Sequence, residues 1–205
     1  MIDQSFREGL AKVASPLIKL YRFFHLSPNT VTLIALGMAV AASYFCAHGD
    51  TIPALGLWWG GRLLDGTDGI YARATGRATP FGAYLDIVCD MAAYSAMILG
   101  FAYRFPQYGF YWSLILMGYV LCITSALAMG TLEGQLKIKP ADNRGLRLAA
   151  GLAEGGETGI TYTFMLLFPA YLMTEIYVWI AILFFTVAAR TLIGLRYAHA
   201  KSSVA

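Results

Sequence analysis

The sequence carries few charged residues for its length. Lysine, arginine, aspartate and glutamate make up 13% of its 205 residues, whereas a soluble domain carries roughly 25%. Hydrophobic residues make up 58%, and the mean hydropathy is +0.59. A disordered chain and a coiled coil both need more charge, so this composition excludes them and favours an integral membrane protein.

Cysteine is also scarce. The three cysteines, Cys46, Cys89 and Cys122, lie in apolar sequence and form no CxxC pair. A disulfide-stapled secreted module needs a denser and more regularly spaced set. We therefore expect all three to be reduced and buried as small hydrophobic residues.

Apolar runs, by contrast, are long. A membrane-spanning helix needs about 20 mostly apolar residues, and six windows approach this length: 31–48, 53–73, 81–103, 109–132, 150–173 and 176–198. The second and fifth begin or end in glycines and charges, so five spans or a re-entrant segment is the alternative. The last two windows are separated by Thr174 and Glu175. The sequence predicts an all-α integral membrane protein with six transmembrane helices plus an N-terminal amphipathic interfacial helix.

The N-terminal helix is predicted over residues 1–25. Its apolar residues recur at helical spacing, with basic residues toward the other side: Phe6, Leu10, Val13, Leu17, Leu20, Tyr21 and Phe24. This pattern indicates a helix lying flat among lipid headgroups, and a helix packed on the rest of the protein is the alternative. These residues lack a continuous apolar core, so we expect no cleavable signal peptide. Residues 26–205 form the predicted six-helix transmembrane domain.

Basic residues are distributed unevenly over the predicted loops. With six spans, nearly all of them fall on one side of the membrane, and the opposite loops contain only Arg104. Because basic residues accumulate on cytoplasmic loops, both termini and the loop between spans two and three are predicted to be cytoplasmic. The net charge of +3 suits an anionic inner leaflet and gives no reason to expect a nucleic acid partner.

Four aspartates lie within 26 residues, between apolar segments. Asp65 and Asp68 are spaced i, i+3, and Asp86 and Asp90 are spaced i, i+4, so each pair shares a face of its helix. The polar connection 75–80 allows the two helices to run antiparallel, which would bring the four carboxylates together. Adjacent anions at the edge of a bilayer need a cation to offset them. Oxygen-only ligands select Mg²⁺, Mn²⁺ or Ca²⁺, and the histidines are distant in sequence.

Glycines accompany these acids. Gly66, Gly69 and Gly82 remove bulk where a phosphate would approach, and Arg73 can pair with a phosphate. Two divalent ions held by four carboxylates form the usual clamp for a phosphoryl or phosphodiester displacement. Alternatively, the glycines serve as helix contacts and the acids pair with neighbouring arginines such as Arg62.

The segment that contains these residues resembles a known family. DGTDGIYARATGRATPFGAYLDIVCD fits the signature D-x2-D-G-x2-A-R-x8-G-x3-D-x3-D of the CDP-alcohol phosphatidyltransferases at every fixed position: Asp65, Asp68, Gly69, Ala72, Arg73, Gly82, Asp86 and Asp90. The amphipathic N-terminal segment and the opening of span one, residues 27–32, extend the resemblance over nearly the full length. It implies transfer of a substituted phosphate from a CDP-linked lipid, usually CDP-diacylglycerol, to an alcohol, with release of CMP.

The resemblance also implies roles for individual residues. Two ions of Mg²⁺ or Mn²⁺ would be held by Asp65, Asp68, Asp86 and Asp90, and Asp90 would also be the catalytic base that takes the acceptor's proton. The CDP-alcohol would be contacted by Pro28, Asn29, Thr30, Val31, Gly69, Arg73 and Thr79. Thr79 and Asn29 are also explained as a helix cap and a turn residue. The resemblance further implies a homodimer in a bacterial cytoplasmic (inner) membrane, with the active site facing the cytoplasm.

The signature does not specify the acceptor. Family members use glycerol phosphate, inositol phosphate, serine, ethanolamine, choline or another lipid. The candidate acceptor-binding residues are the arginines Arg62, Arg144, Arg147 and Arg190, which suit an anionic group, and the pair Glu154 and Glu157, which suits a cationic headgroup or hydroxyls. Alternatively, Arg190 reaches the membrane surface and the two glutamates are exposed at a loop end. A small membrane transporter, or a non-catalytic membrane protein with a divalent-metal site, is the alternative function.

Overall fold

The computed structural model describes residues 14–136 and 155–202. Within these residues the chain is helical and contains no strand. The helices are α1 (residues 14–23), α2 (Pro28–His48), α3 (Thr51–Ala74), α4 (Pro80–Arg104), α5 (Gly109–Leu136), α6 (Gly155–Leu167) and α7 (Leu172–Ser202), with short 3₁₀ helices at Pro106–Tyr108 and Pro169–Tyr171. The predicted all-α class is confirmed. The predictions for Arg144, Arg147, Glu154 and the first 13 residues lie outside the described residues.

Glycine and proline set several helix boundaries. Gly49 ends α2 with a φ of 88°, a left-handed conformation that turns the chain at no steric cost to glycine. Pro80 begins α4, where its missing N–H is one that the helix would leave unpaired. Pro169 opens the 3₁₀ turn that separates α6 from α7. The predicted break at Thr174 and Glu175 is wrong, because the chain turns at the proline and both residues lie within α7.

Four helical segments are long and apolar enough to cross a membrane: Pro28–His48, Pro80–Arg104, Pro106–Gln135 and Pro169–Tyr197. α3 contains 24 residues, about 36 Å at 1.5 Å per residue, but it includes four charged side chains: Arg62, Asp65, Asp68 and Arg73. The described part of α6 contains 13 residues, fewer than a span needs. The structure therefore gives an all-helical protein with four candidate membrane spans.

Small residues allow close packing of α2 against both α3 and α4. A Cβ at Gly100 of α4 would lie 2.5 Å from the carbonyl oxygen of Ser43 of α2, and one at Gly61 of α3 would lie 3.0 Å from that of Ala35. Such distances are too short for a larger side chain. α2, α3 and α4 are thus held backbone to backbone, which fixes the relative positions of groups on α3 and α4.

A buried hydrogen-bonded chain joins α4 to the last three helices. Tyr162 of α6 donates its hydroxyl to the carbonyl of Tyr94 of α4 at 3.0 Å and lies 2.6 Å from the hydroxyl of Tyr119 of α5. Trp179 of α7 donates its Nε1–H to the same Tyr119 hydroxyl at 2.9 Å. Because a buried polar group is costly to leave unpaired, this series of hydrogen bonds favours one arrangement of the four helices.

The described part of α1 contacts α3. The Tyr21 hydroxyl lies 2.8 Å from Thr67 Oγ1, and the ring of Tyr21 packs against Tyr71 at 5.4 Å between centroids. Phe23 and Phe24 remain exposed. The segment therefore packs on the bundle while presenting aromatic groups outward, and its position at a membrane surface stays a prediction.

Candidate active site

Three of the four aspartates form a compact group. Asp65 and Asp68 lie in the second half of α3, and Asp86 lies in the first half of α4. The short connection between these helices reverses the chain, so the three residues come to the same end of the bundle. One carboxylate oxygen from each lies within 4.8 Å of the others. We call Asp65, Asp68 and Asp86 the metal triad.

The fourth aspartate is engaged by an arginine. Arg62 Nη1 of α3 donates to Asp90 Oδ1 of α4 at 2.5 Å and to Asp65 Oδ2 at 3.3 Å. The Asp90 side chain remains 27% exposed, whereas that of Arg62 is 5% exposed. The structure thus places Asp90 beside the metal triad but bonded to a buried cation. The sequence left open that the aspartates pair with neighbouring arginines, and Arg62 does pair with Asp65 and Asp90.

Asp68 is also held by a residue that the sequence did not single out. Thr32 of α2 donates its hydroxyl to the Asp68 carboxylate, and its oxygen lies 3.2 Å from the carbonyl of Pro28. Thr32 is buried near the start of α2, directly before a run of apolar residues. A hydroxyl at this position is a weak signal, because threonine is commonly satisfied by its own helix backbone.

A cleft opens beside the metal triad and is called the outer cleft below. It is formed where α2 begins, where α3 ends and where α4 begins. Its lining residues are Pro28, Asn29, Thr32, Asp68, Gly69, Ala72, Arg73, Arg77, Ala78, Thr79, Gly82, Ala83 and Asp86. Five of the seven residues predicted to contact a CDP-alcohol are among them. Thr30 and Val31 are not, since Thr30 is exposed beside Ser27 and Val31 is buried against Tyr21 and Tyr71.

Local structure explains how the rim of the outer cleft is built. Thr79 is the N-cap of α4, and its hydroxyl accepts the N–H of Gly82 at 3.0 Å. A Cβ at Gly82 would lie 3.2 Å from Asn29 Oδ1, so the missing side chain lets the start of α4 approach the start of α2. Thr79 is therefore a helix cap that also lines the cleft, and its contact with a CDP-alcohol stays a prediction.

A second cavity, the inner pocket, lies further along α4. It is lined by Met91, Tyr94, Tyr119, Cys122, Ile123, Ala126, Thr158 and Arg190. Arg190 of α7 is buried, and its Nη1 donates to the carbonyl of Cys122 at 2.8 Å. Glu157 lies in the first turn of α6 and does not line this pocket. Of the predicted acceptor residues that the structure describes, Arg190 thus faces a cavity.

The chemistry of the metal triad suits a hard divalent cation. The three residues offer only carboxylate oxygens, which favour Mg²⁺ or Mn²⁺ over zinc. Arg73 and Arg77 on the rim of the outer cleft add positive charge where an anionic ligand would enter. The site can therefore combine a divalent cation with a phosphate-bearing ligand.

Comparison with known proteins identifies the family. Residues 25–189 match the family described as CDP-alcohol phosphatidyltransferase. The chain belongs to the CDP-alcohol phosphatidyltransferase family. The family that the sequence signature indicates is confirmed, and with it the class of a metal-dependent transferase acting on CDP-alcohols.

Individual relatives agree with this assignment. The chain is 29% identical over 157 residues to the phosphatidylinositol phosphate synthase of Mycobacteroides abscessus, an alignment that covers 74% of this chain and 66% of that synthase. It is 29% identical over 177 residues to the inner membrane protein YnjF of Escherichia coli, covering 83% of this chain and 84% of YnjF. The chain thus spans just under two thirds of the length of the mycobacterial relative.

Solved structures share the fold. The phosphatidylinositol phosphate synthase of Mycobacterium tuberculosis with CDP-DAG bound gives a TM-score of 0.65 at 20% identity, covering 89% of this chain and 94% of that chain. The same synthase in complex with manganese and citrate gives a TM-score of 0.63. At this identity the likeness shows a common helical architecture.

Proposed function

We propose that this phosphatidyltransferase moves a phosphatidyl group from CDP-diacylglycerol, or a similar CDP-alcohol, to the hydroxyl of an acceptor alcohol and releases CMP. The metal triad at the edge of the outer cleft carries this proposal, because three carboxylates that could hold a divalent cation lie beside an opening lined by two arginines. The CDP-DAG and manganese complexes of the mycobacterial synthase support it. Its place is in phospholipid biosynthesis.

The outer cleft would bind the cytidine diphosphate. Arg73 and Arg77 would contact the diphosphate, and Gly69 and Gly82 line the cleft without side chains of their own. Asp65, Asp68 and Asp86 would hold Mg²⁺ or Mn²⁺, which when bound offsets negative charge on the diphosphate and on the leaving CMP. The second ion that the resemblance implies, with Asp90 among its ligands, stays a prediction.

Asp90 would act as the general base. Its carboxylate accepts the proton of the acceptor hydroxyl as that oxygen forms a bond to the lipid-linked phosphorus. The bond between this phosphorus and the oxygen bridging to the cytidine-linked phosphate breaks, and CMP leaves with that oxygen. Because the Asp90 side chain keeps part of its surface exposed while Arg62 holds one oxygen, it can still receive a proton.

The acceptor would enter by way of the inner pocket. Met91 and Tyr94 line this pocket directly after Asp90 in α4, which supports an acceptor approaching from that side. Arg190 would bind an anionic group of the acceptor, such as the phosphate of glycerol phosphate or inositol phosphate. Arg144, Glu154 and Glu157 stay predictions as further acceptor contacts.

We further propose that the protein lies in a bacterial cytoplasmic membrane with its site at the cytoplasmic face. α3 would cross beside the four candidate spans, because its charges gather near the metal triad and its 24 residues are long enough. α6 would complete the six crossings that the sequence predicts. The exposed bases at the triad end, including Lys19, Arg73 and Arg77, support this orientation. A homodimer stays a prediction.

The proposal is tested by measuring CMP release. The purified full chain in detergent is incubated with CDP-diacylglycerol and Mg²⁺ or Mn²⁺, and candidate alcohols are added one at a time. We expect acceptor-dependent CMP with at least one alcohol and a loss of about 1,000-fold or more in Asp90→Asn, since the base is removed. Asp50→Asn is the matched control, because Asp50 is exposed at the opposite end of the bundle. The absence of CMP with every alcohol, or full activity in Asp90→Asn, would contradict it.

A further inference from the structure

Arg62 is buried beside Asp65 and Asp90, and hydrogen bonds and aromatic rings hold its guanidinium in place. One nitrogen, Nη1, lies 2.5 Å from Asp90 Oδ1, 3.3 Å from Asp65 Oδ2 and 3.3 Å from the Tyr94 hydroxyl. The centre of the guanidinium lies 5.1 Å from the rings of both Trp58 and Tyr94. These two rings adjoin each other, with 6.2 Å between their centroids, and an arginine packed over both has little freedom to move, because cation–π attraction and packing act together.

We propose that Arg62 is a positioning residue that holds the Asp90 carboxylate beside the metal triad and contributes a fixed positive charge there. The proposal rests on the proposed function, in which Asp90 is the general base. Arg62 does not itself line the outer cleft, and neither does Asp90. Its effect on the reaction would therefore pass through Asp90 and Asp65 and not through contact with the nucleotide.

The geometry explains why this position is effective. Trp58, Arg62 and Asp65 are spaced i−4, i and i+3 on α3, so the ring, the cation and the carboxylate lie along one face of that helix. Asp90 and Tyr94 are spaced i, i+4 on α4 and meet the same cation. Close packing of α2 against α3 and α4 at Gly61 and Gly100 fixes the distance between these two faces. The base is thus placed by helices that are packed backbone to backbone.

Charge gives the proposal a distinctive consequence. Arg62 shares Asp65 with the metal triad, so its positive charge opposes the binding of a divalent cation a few ångströms away. Removing the charge should strengthen metal binding, while releasing Asp90 should slow the reaction. A residue that merely supported the fold would, when replaced, weaken metal binding and turnover together.

The experiment compares three full-length proteins in detergent: wild type, Arg62→Gln and Arg62→Lys. Mn²⁺ binding is titrated by electron paramagnetic resonance without nucleotide, and CMP release is measured at saturating Mn²⁺. For Arg62→Gln we expect the Kd for Mn²⁺ to fall about tenfold and kcat to fall about 100-fold. The KM for the CDP-lipid should change by less than about threefold, because Arg62 makes no contact in the outer cleft.

The lysine variant separates charge from geometry. Arg62→Lys keeps the charge but cannot reproduce the planar contact with the two adjoining aromatic rings, so its Kd for Mn²⁺ should match wild type while kcat stays at least about tenfold lower. Arg104→Gln, at the far end of α4, is the control and should change neither quantity. If Arg62→Gln fails to fold, Arg62→Lys carries the test.

Two results would overturn the proposal. One is weaker Mn²⁺ binding in Arg62→Gln, which would indicate general damage to the site. The other is an unchanged kcat in both Arg62 variants. If the wild-type chain binds Mn²⁺ but transfers to no acceptor, both the proposed function and the positioning role are refuted. The Mn²⁺ titration would still test separately whether the Arg62 charge weakens metal binding.

Discussion

The outer cleft and the inner pocket differ in how they are built. The outer cleft comes from three consecutive helices, α2 to α4, and its cavity volume is about 190 Å³. The inner pocket gathers residues from α4, α5, α6 and α7 and has a volume of about 50 Å³. A small number of water molecules would fill a cavity of that size, so an acceptor as large as a sugar phosphate requires the pocket to widen.

This difference suggests that the outer cleft serves the transfer reaction itself and the inner pocket serves the choice of acceptor. The outer cleft carries groups that any CDP-alcohol would need: carboxylates for a divalent cation, arginines for a diphosphate and glycines that leave space. The inner pocket is mostly apolar and aromatic, with Arg190 as a buried charge tied to α5 through the Cys122 carbonyl. We infer that substitutions in the outer cleft abolish the reaction with every acceptor, and that substitutions in the inner pocket change which acceptor is used.

Within the two cavities, the largest effect is expected from Asp68→Asn in the outer cleft. Asp68 belongs to the metal triad, and an uncharged amide is a poor ligand for a hard divalent cation. Turnover should fall about 1,000-fold with every acceptor, and metal-dependent nucleotide binding should disappear. Isothermal titration with a CDP-lipid, with and without Mn²⁺, measures the binding. Retention of metal-dependent binding by the folded variant would refute the metal assignment.

Arg190→Gln is the corresponding change in the inner pocket. We expect the KM for an anionic acceptor to rise about 10- to 100-fold, because a charge-assisted contact is lost, while nucleotide binding stays unchanged. Steady-state CMP release with one phosphorylated and one neutral alcohol makes the comparison. An equal loss with both alcohols would instead mean that Arg190 serves to tie α7 to α5.

Prediction from the sequence succeeded where residues that act together are close in the chain. Asp65, Asp68 and Asp86 are linked by helical spacing and one short turn, so their convergence follows from local structure. Thr32 reaches Asp68 across 36 residues, and although it lies in the segment that extends the family resemblance, nothing in the sequence pairs it with an aspartate. Arg62 was considered both as an acceptor contact and as a partner for the acids, and only packing distinguishes the two. The inner pocket depends on four helices, which periodicity cannot place relative to one another.

Thr32→Val tests how far the metal triad depends on α2. Valine keeps the shape of threonine but removes the hydroxyl that donates to the Asp68 carboxylate. Substitution of a residue that orients a metal ligand commonly lowers the metal affinity by about 10- to 100-fold. We expect the lower end of this range for Mn²⁺ here, because Asp68 is also held in place by α3. Mn²⁺ titration measures the change, and Thr191→Val, exposed on α7 and bonded only to its own helix, is the control. Equal Mn²⁺ affinity in Thr32→Val and wild type would show that the Thr32 hydroxyl of α2 does not support the metal triad.

The smallest effect is expected at the junction between the two regions. Tyr162→Phe removes the hydroxyl that joins the Tyr94 carbonyl to Tyr119, leaving the Tyr119 hydroxyl with one partner fewer in a buried position. We expect a loss of about 1–2 kcal/mol in the free energy of unfolding, measured by thermal or denaturant unfolding in detergent, with turnover largely kept. Tyr177→Phe removes a hydroxyl from the exposed Tyr111–Tyr177 pair and should change stability far less. Equal losses of stability in the two variants would mean that the buried hydrogen bonds of Tyr162 do not hold α4 to the last three helices. The inner pocket could then widen without a cost from breaking those bonds.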